Sequence, residues 1–129
     1  MAKGNRIAES IAAAANTAAS YCLIALRDGD TANMADFARD ARAAAAMADK
    51  EYRRMDDAQS AADAEYNRAA KNGEYAAMDK IRRDSIAYNR AAIKCMDAAA
   101  NARLYAEKCR DELARIAAAD AADADAAAD

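Results

Sequence analysis

The residues best suited to chemistry in this chain are three cysteines and a scatter of carboxylates, because histidine is absent. Without histidine there is no Ser-His-Asp or Cys-His site, and no Glu-x-x-His motif of the di-iron helical bundles. A nucleophilic cysteine needs a neighbouring base or a positive environment. Cys109 lies between Lys108 and Arg110, but sequence neighbours point to different faces of a helix. Cys22, Cys95 and Cys109 instead read as small buried apolar residues. Cys95 and Cys109 are two heptads apart on one continuous helix, about 21 Å of rise, and cannot bridge each other.

Metal and phosphate chemistry fare no better. Asp28-Gly29-Asp30 begins like a calcium loop, but Ala32, Asn33 and Arg39 fill its fifth, sixth and twelfth positions. Asp36/Asp40 and Glu107/Asp111 share helix faces as ordinary solvated pairs. No C-x-x-C is present, and glycines at 4, 29 and 73 make no phosphate loop. The sequence therefore predicts no enzyme, no cofactor and no metal.

What remains is surface. Lys80, Arg83, Arg90 and Lys94 are spaced 3, 7 and 4, which puts them on one stripe of a helix. Arg82 flanks the stripe, and Asp79, Asp84 and Asp97 stand ready to neutralise it. Such a stripe suits an acidic protein surface or phosphates. Tyr75, Ile86, Ile93 and Leu104 are spaced 11, 7 and 11, which also holds them on one face of the same segment. Either the first helix covers this second apolar stripe, or it is an interaction surface.

The elements that carry these stripes follow from composition. Of 129 residues, 44 are alanine, only 12 are Leu, Ile or Phe, and none is Val, Pro or Trp. Alanine is the strongest helix former because it loses no side-chain entropy, and a sheet core would need β-branched and aromatic residues. The fold class is all-α. Asp28-Gly29-Asp30 and Asn72-Gly73 are the two turn signals, with Asp30 or Thr31 placed to cap the second helix. They divide residues 1–118, a single helical domain, into helices at about 5–27, 31–71 and 74–118.

Each segment has a seam at spacings of three and four. In the first it is Ile7, Ile11, Ala14, Ala18, Tyr21 and Ala25. In the second it is Met34, Phe37, Ala41, Ala44, Ala48, Met55, Ala58 and Ala62, flanked by Tyr52 and Tyr66. In the third it runs Met78, Ile81, Ser85, Tyr88, Ala92, Cys95, Ala99, Ala102, Ala106, Cys109, Leu113 and Ile116. A long antiparallel hairpin of the last two helices, buttressed by the shorter first, fits this pattern. The alternative is a compact four- to five-helix bundle, broken near Asp56-Asp57 and Asp84-Ser85. Residues 119–129, almost only Ala and Asp, are predicted to be a disordered acidic tail, since aspartates near a helix C-terminus oppose its dipole.

Net charge is −3, so no overall basic field exists to drive nucleic-acid binding. The first helix is short and alanine-rich for a membrane span, which predicts a cytoplasmic protein with no membrane partner. The expected function is a helical module that docks on a partner protein. Its Ala-, Asp- and Arg-rich composition suits a GC-rich bacterial or phage genome, where an inhibitor or adaptor of a nucleic-acid-processing complex is one instance. Nucleic-acid binding through the basic stripe, and self-association through alanine seams, are the alternatives.

Overall fold

A computed structural model describes residues 3–128, and the protein in it is three helices: α1 (Lys3–Asp28), α2 (Thr31–Lys71) and α3 (Tyr75–Ala128). Each packs on the other two. At 1.5 Å per residue they are about 39, 60 and 80 Å long. The bundle is therefore elongated. Neither α2 nor α3 breaks where the compact alternative requires it. The side chains that would compete with the helix backbone there are occupied elsewhere: Asp84 accepts from Lys80 Nζ at 2.7 Å, and Ser85 Oγ donates to Asp63 Oδ1 at 2.6 Å.

Both turns are glycine-dependent. Gly29 and Gly73 have φ of +68° and +69°, the left-handed region where a side chain is strained. Each closes a helix with the same 6→1 bond. Asp30 N–H donates to Ala25 O, and Glu74 N–H donates to Ala69 O, both at 2.9 Å. Asp30 takes the N-cap position of α2 but makes no side-chain cap bond. Its carboxylate instead accepts from Asn33 Nδ2 at 2.8 Å.

Cross-helix bonds fix the register. Lys94–Glu9 and Asn101–Asn16 are each 85 residues apart in sequence, and Cys95–Ala8 and Cys109–Cys22 each 87. A constant offset means that α1 and α3 run parallel, with α2 antiparallel between them in the chain. Lys94 and Cys95 meet α1 close to its start. The hairpin tip, α3 up to about residue 88 and the facing part of α2, therefore extends beyond α1. A separate small core of Ala62, Ala69 and Ile81 holds the tip together, with Tyr66, Met78 and Tyr88 packed against it.

The main core is built from methyl groups and sulfur. It comprises Ala8, Ala12, Ala15, Ala19, Cys22 and Ala25 of α1, Met34, Ala38, Ala41, Ala45, Ala48 and Met55 of α2, and Ala91 to Cys109 positions of α3. In α2, Met34, Ala41, Ala48, Met55, Ala62 and Ala69 are all buried at an unbroken spacing of seven, the period of a supercoiled seam. The α3 seam lies where its spacing predicts.

The α1 seam does not. Of the expected Ile7, Ile11, Ala14, Ala18, Tyr21 and Ala25 stripe only Ala25 is buried, and elsewhere the seam is turned by one residue, about 100°. Ile7 and Tyr21 are exposed, and Ile11 is half-buried. The reason is space: three helices approach closely only where the side chains between them end at Cβ or Sγ. The bulkier stripe is displaced to the flank, where the Tyr21 ring meets Phe37 with centroids 5.5 Å apart.

The C-terminal segment also differs from expectation. Where a disordered tail is predicted, α3 continues to Ala128 with exposed residues. Alanine's helix propensity outweighs the few tenths of a kcal/mol that each aspartate costs near a C-terminus.

Candidate interaction surface

The second apolar stripe is left uncovered. Tyr75 is 72% exposed, Ile86 and Ile93 44% each, and Leu104 48%. The first helix does not reach over them, because α1 packs into the opposite side of α3, against Cys95 and Cys109. From Tyr75 to Leu104 the stripe is about 44 Å long. Tyr75 opens α3 at the hairpin tip, with its ring beside the Gly73 turn. Met96, which sequence reasoning passed over, is 46% exposed and lies one turn below Ile93 on this side of the helix.

The basic stripe divides into two pairs. Lys80 is bound by Asp84 of its own helix, which holds its ammonium above the usual lysine range. Lys94 donates to Glu9 of α1 at 2.9 Å and works as a structural tie. Arg83 and Arg90 have no ion-pair partner among the described residues, and both are exposed. They project beside Ile86 and Ile93. The expected neutralisation of Arg83 by Asp79 is not formed, and Asp49, spaced to pair with Arg53, instead reaches across to Arg103 of α3. Asp36 does hold Arg39, at 3.2 Å.

The arrangement offers bulky aliphatic side chains with free guanidinium groups among them. That combination covers apolar surface on a partner while pairing with carboxylates or phosphates at its edge. The stripe as four free cations would grip a polyanion; as two, it gives orientation more than affinity.

Elsewhere the polar chemistry is structural. Glu51, 7% exposed, is held by Arg54, whose Nε lies 2.9 Å from Oε1. Burial pushes all three thiols up from their ordinary range, Cys22 to about 12 with help from the neighbouring Cys109. Thiols held protonated in this way are poor nucleophiles. One group of basic residues that no sequence spacing signals is assembled by the fold: Arg42 of α2 shares a groove with Arg103 and Arg110 of α3, with Glu107 and Asp111 beside them. α1 has the length and composition of a membrane-crossing helix, and its small-residue stripe is packed against α2 and α3.

No protein-family model, no curated protein and no solved structure matches this chain.

Proposed function

We propose that this chain is a non-enzymatic helical interaction module that docks on a partner protein through the outer face of α3. One observation carries the reading: Ile93 and Leu104 stand exposed on the side turned away from both other helices, with Ile86 at the edge of the α2–α3 groove and Arg83 and Arg90, which have no ion-pair partner among the described residues, beside them. Exposed aliphatic side chains grouped along one face of a helix are a feature of binding sites. The two arginines favour a partner whose complementary face carries carboxylates at the edge of an apolar groove. An inhibitor or adaptor works in this way, by occupying a partner's surface without changing a covalent bond.

The test is capture from a host lysate by a photo-crosslinker placed at Ala100, comparing the wild-type chain with Ile93→Asp and with Arg83→Glu/Arg90→Glu. Ile93 is already half in water, so Ile93→Asp leaves the helicity intact. The expected result is a discrete crosslinked protein that both variants lose. The same captured protein in all three samples would overturn the proposal. If the arginine variant alone fails, and the captured material is nucleic acid released by salt, the polyanion alternative replaces it.

A further inference from the structure

Two of the three buried cysteines lie against each other across the α1–α3 interface. Cys109 Sγ is 3.5 Å from the carbonyl oxygen of Cys22, close enough for each thiol to influence the other's ionisation. This pairing follows from the register. With a constant offset of 87 between parallel helices, each α3 seam residue faces the α1 residue 87 positions earlier. Cys95 therefore meets Ala8 and makes the same kind of bond, to its carbonyl, at 3.4 Å. At the position two heptads on, the α1 residue is Cys22. Of the stripe Ala8, Ala15, Cys22, facing Cys95, Ala102 and Cys109, the last position alone sets two cysteines opposite each other.

We infer that Cys22 and Cys109 are a latent disulfide pair, an oxidation site for small two-electron thiol oxidants, whose closure fastens α1 to α3. The S–H bonds of both residues break and one S–S bond forms. The two protons and two electrons pass to the oxidant, which for diamide means reduction of its N=N bond to a hydrazine. Matching heptad positions on parallel helices keep the two side chains facing each other, the approach that disulfide geometry demands. Both thiols are shielded in the native bundle and held protonated. Reaction therefore follows a transient lifting of α1, and it accelerates in mild denaturant.

The full-length protein treated with diamide tests this. The expected product is a single chain lighter by two hydrogens, in which tryptic peptides carrying Cys22 and Cys109 are linked. Cys95 remains free to alkylation after unfolding. The helical circular dichroism is unchanged and the thermal midpoint rises by about 10 °C, because the bridge closes a long loop. Cys95→Ala reacts like the wild type. Cys22→Ala and Cys109→Ala, which place in the seam the residue that fills most of its other positions, form no intrachain link. Absence of the product, a bridge that uses Cys95, a bridge between chains, or a product with a lower midpoint each overturns the inference.

Discussion

Ala15 is fully buried in the three-helix seam, whereas Ala14, its neighbour, is exposed. Replacing each by Leu separates the observed α1 seam from the one its sequence spacing suggests. Leucine adds three heavy atoms. If a cavity stood ready, burying them would stabilise by about 2 kcal/mol. Ala15 is 0% exposed and its stripe neighbours Ala8 and Ala19 are 0% and 1% exposed, so the added bulk has to push α1 outward. That separates every small-residue contact along the stripe at once, and overpacking of this kind costs 1–3 kcal/mol or more. We expect Ala15→Leu to lose about 3 kcal/mol, a large part of the 5–15 kcal/mol of a typical domain. With a urea slope of about 1.5 kcal/mol/M, the midpoint falls by about 2 M. Ala14→Leu should stay within about 0.5 kcal/mol of wild type. Urea unfolding followed by circular dichroism reads both. If Ala14→Leu is the damaging substitution and Ala15→Leu is neutral or stabilising, α1 buries its Ile7–Tyr21 stripe, and the close-approach argument fails.

Asn5 is 4% exposed, and its Oδ1 has no hydrogen-bond partner among the described residues. It occupies the heptad position that Ala12 and Ala19 fill further along, so Asn5→Ala should stabilise by about 1 kcal/mol by removing an unsatisfied acceptor; a lower urea midpoint would show that the amide is satisfied after all. The thiols make stability fall in alkali. Cys22 keeps its proton in the folded state to about pH 12, while in the unfolded chain it ionises near 9.0. Below about pH 9 both states hold the proton, and above it the unfolded state alone releases it. The loss approaches about 1.4 kcal/mol per pH unit for this thiol. Unfolding midpoints measured from pH 8 to 11 should therefore fall less steeply for Cys22→Ala than for wild type, and equal slopes would place Cys22 in water.

The features legible in the sequence are those set by backbone preference. Alanine content gave the all-α class, and the two glycines marked both turns because only they take positive φ without strain. The α3 seam was legible because Ile81 anchors its phase, and in α2 so were the heptad positions set by Met34 and Met55; Phe37, Ala44 and Ala58 are only half-buried, and Ala38 and Ala45, one residue on from Phe37 and Ala44, fill the core instead. The α1 phase was not legible. Its spacing turns the largest residues inward, a rule that holds when a core has room. Here the interior is closed by alanine, and the rule inverts. The exposed stripe Tyr75, Ile86, Ile93 and Leu104 was visible as a spacing, but whether α1 covered it depended on which side of α3 α1 chose. That choice is made by small residues at long range, as are the Cys22–Cys109 contact and the Arg42, Arg103 and Arg110 grouping, which need the register between helices.

The same inversion decides which exposed apolar residues carry meaning. Of the twelve Leu, Ile and Phe residues six are exposed, five half-buried and one, Ile81, buried, so exposure of a large side chain does not by itself mark a binding site. Ile7 and Tyr21 lie on the displaced α1 stripe, and Phe37, Ile11 and Tyr21 line or border the grooves between α1 and α2. They shield the methyl-only seam from water, which alanine alone does poorly, and their exposure follows from that position. Ile86 borders the α2–α3 groove beside Asp63 and Tyr66, but Ile93 and Leu104 shield no seam, since both partner helices lie on the other side of α3. An alanine there would serve the bundle as well and would favour the helix more. Ile24 of α1, 43% exposed and opposite its buried stripe, is placed in the same way, so what distinguishes the α3 face is such side chains beside two arginines that have no ion-pair partner among the described residues. The proposed partner contact would use both.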